Sequence, residues 1–173
     1  IPNDSDYLRK IVMDMEHTDV LDIKKKVTKD KSFLSKMAYY EYLTFNISAW
    51  IASHFMHKCP AVNGAAFAIK REVFQKIGGF RKVVAEDIDI ATRAFLENSS
   101  FAYTHVVEVQ NVVHSGWKKW FTQRRRWAIG QALWLKDWYK QLATRFVKKP
   151  QVFLPSLFFL YPSVAVFFLS ALI

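Results

Sequence analysis

Two clusters in this chain hold side chains able to accept a proton or grip an anion. Glu86 and Asp87 lie side by side where an apolar helical pattern begins, while Gln123, Arg126 and Trp127 fall three and four residues apart in a basic segment. A carboxylate pair there can serve as a general base or simply favour the positive end of a helix. Residues three and four apart are neighbours on a helix surface. The second cluster therefore gathers an amide, a planar guanidinium fork suited to a diphosphate, and a ring face for stacking. The same arginines, Arg124 to Arg126, are equally suited to phospholipid headgroups. Gly130, one turn further on, lets another backbone or a ligand come close.

Elements must carry these side chains. From Glu86 to about Asn98, Ile88, Ala91, Phe95 and Leu96 mark one helix face, with Glu86, Asp87 and Asp89 in its first turn. Ahead of it, Ala65 to Ile69 is a short apolar run after Asn63-Gly64. Arg71 to Ile77 then reads as a short helix stopped by Gly78-Gly79. Residues 101–113 alternate as a half-buried strand with Phe101, Tyr103, Val107, Val109 and Val113 inward. Nearer the start, Ser5 or Asp4 is the expected cap of a helix bearing Leu8, Ile11, Val12 and Met15, followed by a lysine-rich link around Lys24 to Lys31. Residues 33–57 form a long aromatic helix in which Lys36 and Glu41 are the formal charges. Burying Glu41, Asn46 and His54 in hydrocarbon is expensive, so this helix is expected at an interface or against the domain.

The charge is concentrated. Residues 117–149 hold ten of the 25 Lys and Arg and one acid, Asp137, which leaves nearly all of the net +10 in this stretch. Trp117, Trp120, Phe121, Arg124, Trp127, Trp134 and Trp138 recur there at helical spacing, an aromatic stripe suited to a membrane interface. Residues 152–173 follow without a charge. This run is long enough for a spanning helix, and basic residues just before a span mark the cytoplasmic side. Of the 173 residues 51% are hydrophobic, which excludes a disordered chain. The single Cys59 excludes both a disulfide scaffold and a cysteine-rich zinc site. The chain starts at Ile1 with no signal-peptide pattern and reads as a piece of a longer one.

The order Asn63-Gly64 with its following apolar run, Ile77-Gly78-Gly79-Phe80, Ala85-Glu86-Asp87 and Gln123-Arg-Arg-Arg126-Trp127 resembles the C-terminal half of membrane-bound family 2 glycosyltransferases. That group includes cellulose, hyaluronan and poly-N-acetylglucosamine synthases. The resemblance runs over roughly the whole chain. It implies an α/β fold: the C-terminal part of a GT-A, Rossmann-like domain over residues 1–116, a basic amphipathic interface region over 117–149, and a transmembrane helix over 150–173. It implies a general base at Asp87, beside Glu86, acting on the acceptor hydroxyl. Gln123, Arg126 and Trp127 would hold the diphosphate and the acceptor end, with Asn63 and Gly64 near the acceptor sugar. The implied partners are a nucleotide-sugar donor, a UDP-sugar by resemblance, a glycan acceptor and membrane lipid, at the cytoplasmic face of a multi-pass cell-membrane protein. The implied cofactor is Mg²⁺ or Mn²⁺.

By the resemblance, the family's uracil-binding aspartate and its D-x-D metal motif are expected on a preceding half, and the cation's ligands with them. Ala85 stands where cellulose synthases carry Thr, and no cysteine precedes the acceptor-loop glycine, so the polymer need not be cellulose. His114 lies where some members place a late histidine on the metal, although a histidine at a strand end serves structure as readily. A carboxylate in the first turn of a helix is expected to have a lowered pKa. Arg124 and Arg125 have no identity set by the resemblance and are expected to meet lipid. Two rival classes remain: a membrane-anchored scaffold whose arginines bind lipid and whose acids only cap a helix, and a basic, tryptophan-bearing nucleic-acid module. The uncharged run counts against the second, and no nucleic-acid partner is expected.

Overall fold

The computed structural model describes residues 5–28, 32–113, 116–152 and 156. Helix α1 (Tyr7–Asp14) follows Asp6 rather than Ser5 or Asp4, and no side chain caps it. Its Ile11 is buried with Leu21, Ile23 and Val107, so α1 closes one face of the sheet.

The first part of the expected lysine-rich link, Lys24 to Val27, instead belongs to the central strand. Strand β1 (Val20–Val27) lies between β2 (Phe67–Ile69), which is antiparallel to it, and β3 (Phe101–Asn111), which is parallel. Alternation is present in its lysines but hidden by their identity. Lys24 and Lys26 reach Glu108 on β3 at 3.3 and 3.1 Å, while Lys25 turns inward to Asp22 and is fully buried. On a regular strand, residues three apart point to opposite faces. The pairing register breaks between Ile23 and Lys24, and that break puts Asp22 and Lys25 on one side. The same irregularity resets β3. Phe101, Val107 and Val109 are buried as expected, but Thr104 is buried in place of an alternating neighbour, Tyr103 is half-buried, and the strand ends before Val113.

Helix α2 (Phe33–Ile51) begins with the Ser32 hydroxyl accepting from the Ser35 N–H at 3.1 Å, and it ends in a wide turn over Ala52–Met56. It lies on the sheet through Phe45, Ala49 and Ala52. Helix α3 (Arg71–Lys76) stops where expected. Gly78 and Gly79 take φ of +79° and +67°, a conformation that L side chains rarely adopt, and the Gly79 N–H returns to the Phe74 carbonyl at 2.9 Å.

Helix α4 (Glu86–Leu96) buries Ile90, Ala91, Ala94 and Phe95. Helix α5 (Trp117–Lys148) has 32 residues. Only the first part of its aromatic stripe is free for an interface. Trp134 is buried and donates to the Thr92 hydroxyl at 2.9 Å, and Trp138 donates to Asp89 at 3.0 Å. With Leu142, Trp134 joins the core shared by α2, α4 and β3, because an indole buries a large apolar area once its N–H is met. Asp89 stands in the first turn of α4 as expected, but its partners are side chains. It lies 2% exposed beneath Arg81 and Arg93 and ties α4 to α5 and to the loop between α3 and α4. Among the described residues no helix is long and apolar enough to cross a membrane. The expected span over 150–173 lies almost wholly outside them, and so does His114.

Candidate active site

The Asn63 side chain accepts from the Ala65 N–H at 3.0 Å, and the Ala66 N–H returns to the Asn63 carbonyl at 3.2 Å. This is a tight, asparagine-built turn. It aims the Gly64 N–H at Asp87, which accepts it on Oδ2 at 2.8 Å, while Oδ1 accepts the Ile88 N–H at 2.8 Å. A Cβ on Gly64 would stand 2.6 Å from Asp87 Oδ2, so the backbone approaches this closely only because residue 64 is glycine.

Across from this turn runs α5. Gly130 admits the chain just ahead of α4, where a Cβ would meet Ala85 Cβ at 3.1 Å and Val84 Cγ1 at 3.3 Å. The close approach expected at Gly130 is thus to protein. It presses the first half of α5 against the start of α4 and leaves a cleft of about 300 Å³. Asn63, Gly64, Glu86, Asp87, Gln123, Arg126 and Trp127 all line this cleft, together with Tyr42, Ala85 and Ile88. The volume lies at the lower end of the range for small-molecule sites.

Its electrostatics differ from the sequence expectation at one point. The Asp87 carboxyl is held above the ordinary carboxylate range, not below it. Burial raises it, the Ile88 and Gly64 N–H groups oppose that, and the neighbouring Glu86 charge adds to the rise. Withdrawal from water outweighs the helix end here, because burial penalises the charged form more than the N–H groups favour it. Arg126 is exposed, lines the cleft and forms no ion pair among the described residues, so its guanidinium is open to an anion there.

Arg124 is a correction. In place of a lipid contact, its guanidinium forks onto both carboxylate oxygens of Glu41 on α2 and lies 4.3 Å from the Trp127 ring and 5.0 Å from that of Trp120. Sequence reasoning also missed Asp22 and Lys25. Asp22 is wholly buried, bonded to Lys25 and, at 3.4 Å, accepting the Asn63 N–H, so the pair supports the turn that aims Gly64. Burial pushes Asp22 up and Lys25 down, and each partner's charge opposes the shift. A lysine run gave no sign of this, and Asp22, two positions ahead of Lys24, was the available signal. The implied divalent cation finds no ligand set here. Among the described residues no three His, Cys, Asp or Glu come together.

Comparison with known proteins gives the class. The model of the glycosyl transferase family group 2 matches residues 4–173, and the chain belongs to that family. Among its relatives are the Arabidopsis thaliana "Probable glucomannan 4-beta-mannosyltransferase 3", 36% identical over 83 residues, which are 47% of this chain and 15% of that protein. The Bacillus subtilis "Probable glycosyltransferase YdaM" is 26% identical over 143 residues, 82% of this chain and 33% of that protein. An Oryza sativa relative, "Probable glucomannan 4-beta-mannosyltransferase 6", is 33% identical over 81 residues, 46% of this chain and 14% of that protein. The chain spans about a third or less of the length of these relatives.

Proposed function

We propose that this chain supplies the acceptor side of the active site of an inverting hexosyltransferase, which extends a glycan from a nucleoside-diphosphate sugar. The observation that carries the reading is the cleft itself: a half-buried carboxylate with raised proton affinity on one wall and an unpaired guanidinium and an indole on the other. In such a transfer the acceptor oxygen bonds to the anomeric carbon as the bond from that carbon to the phosphate oxygen breaks. The acceptor proton passes to Asp87, and the electron pair leaves with the diphosphate, whose charge Arg126 meets. Burial makes Asp87 a better proton acceptor than a carboxylate at an open helix end, and the two N–H groups keep it aimed while leaving each oxygen a second lone pair. Trp127 orients the acceptor ring by stacking, a contribution of positioning rather than charge. When bound, a divalent cation would neutralise the leaving diphosphate from a ligand set beyond the residues described.

The transferred sugar is a hexose. The relatives named as glucomannan 4-beta-mannosyltransferases favour a mannosyl or glucosyl group and a polysaccharide acceptor. Location at the cytoplasmic membrane face is supported by the outer sides of α2 and the start of α5. Phe33, Met37, Tyr40, Ile47 and Trp50 are exposed there with Trp117 and Phe121, the Phe33 and Trp117 rings lie 6.2 Å apart, and Lys36, Lys118 and Lys119 flank them. The uncharged residues 152–173 complete this picture as a span. The test is transfer by the full-length protein in detergent, offered UDP- and GDP-hexoses and β-linked oligosaccharides, with and without Asp87→Asn. Loss of about 10²-fold or more in turnover, with nucleotide binding kept, is expected for a missing general base. Turnover within a few-fold of the parent would make Asp87 a structural anchor for the Gly64 turn.

A further inference from the structure

Glu41 and Arg124 come from helices 83 positions apart in sequence, yet they meet in a fork, both guanidinium ends on both carboxylate oxygens. Their side chains are 20% and 21% exposed, and Arg124 Nε is buried with no partner among the described residues. A surface tie between two helices would leave that donor in water. Here it is withdrawn from water, and the guanidinium carbon lies 5.0 Å from the Trp120 ring and 4.3 Å from the Trp127 ring, which stand one turn before and one turn after Arg124 on the same face of α5. The fork fixes the plane of the guanidinium, and a fixed guanidinium 4.3 Å from an indole fixes that ring in turn. Trp127 also lines the cleft with Gln123 and Arg126. With a cation over one of its faces, the ring has only its other face and its edge to offer.

We propose that Glu41 and Arg124 are positioning residues for Trp127: Glu41 orients the Arg124 guanidinium, the guanidinium covers one face of the indole, and the other face is thereby held ready for the acceptor sugar. The sugar's part in this rests on the reading of the cleft given above, whereas the holding of the ring does not. A plain strut between α2 and α5 would need an ion pair of either polarity. A positioning device needs the cation on α5, against the indole.

The test uses the full-length protein in detergent with Glu41→Gln, Arg124→Lys, and the swapped pair Glu41→Arg with Arg124→Glu. Emission from Trp127 is isolated as the difference between each protein and the same protein carrying Trp127→Phe, and its quenching by acrylamide is measured beside nucleoside-diphosphate titration and transfer kinetics. Both single variants are expected to raise the quenching constant at least about twofold and the acceptor KM about tenfold, with nucleotide affinity within about twofold. The swapped pair is expected to recover the unfolding midpoint but neither of the first two quantities. Unchanged quenching in both single variants overturns the proposal. So does full recovery by the swapped pair, which makes the contact a strut, and so does an equal loss of nucleotide affinity. If the parent transfers no sugar, the reading of the cleft fails while quenching still decides the clamp. If Glu41→Gln does not fold, Arg124→Lys, which keeps the charge, carries the test.

Discussion

Gly64→Ala separates stability from catalysis at this site. Gly64 does not have positive φ, so alanine is tolerated by the backbone there. Reduced freedom of the unfolded chain then favours the variant by about 0.4–1 kcal/mol. The new methyl would stand 2.6 Å from Asp87 Oδ2 and 3.1 Å from its Cβ and Cγ. Reaching ordinary contact near 3.4 Å moves the carboxylate oxygen by about 0.8 Å and breaks the 2.8 Å bond from the Gly64 N–H. A hydrogen bond to a charged group contributes about 1.5–3 kcal/mol, so the net loss of stability is about 1–2 kcal/mol and the protein remains folded. Catalysis should suffer more, because misplacing a reacting group by about 1 Å costs on the order of 10²-fold in rate. The Gly64 N–H also holds down the proton affinity of Asp87, so its loss leaves burial and Glu86 less opposed. The base works deprotonated, so the acid limb of the rate profile should move to higher pH. The assay is transfer against pH with nucleotide titration, with denaturant unfolding as a check on folding. Turnover within threefold of the parent and an unmoved acid limb would refute the reasoning that Gly64 sets the position of Asp87.

Arg126→Lys keeps the charge but loses the fork, so nucleoside-diphosphate affinity should fall while acceptor KM holds; Trp127→Ala should do the reverse, and Arg125→Ala, at an exposed position, should change neither. Equal losses from Arg125→Ala and Arg126→Lys in nucleotide titration would reduce the cluster to a bulk basic patch. Asp89 is raised by burial but held below the carboxylate range by Arg81, Trp138 and Arg93. Its stabilisation should therefore be full above its unfolded pKa of about 3.9 and be lost as pH falls through its lower folded value. Asp89→Asn should cost about 3–5 kcal/mol at neutral pH and flatten the acid limb of stability, and an unfolding midpoint unchanged from the parent at neutral pH would contradict this. Asp22→Asn leaves Lys25 buried without its counter-charge and should cost about 3–5 kcal/mol, whereas Asp22→Leu with Lys25→Met should recover most of that loss in urea unfolding.

Local chemistry was readable from the residues alone. The stop of α3 at Gly78-Gly79, the acidic start of α4, the Asn63-Gly64 turn and the helical spacing of Gln123, Arg126 and Trp127 each depend on neighbours within a few positions, where φ preference, capping and periodicity act. Family membership followed from the order of those same pieces. What the fold alone decided is how each charge is surrounded. The N–H that aims Asp87 comes from 23 positions away, the amide above Asp22 from 41, and the carboxylate that holds Arg124 from 83. Lys25 reads as one of a solvated run until a register break turns it inward, and Trp134 and Trp138 read as interfacial until Thr92 and Asp89 meet their N–H groups. Burial and partnership are properties of three-dimensional neighbours, and they set proton affinity and ring orientation. The residue types of the cleft were therefore legible in the chain, while the raised proton affinity of Asp87 and the clamp on Trp127 arise only where distant segments close together.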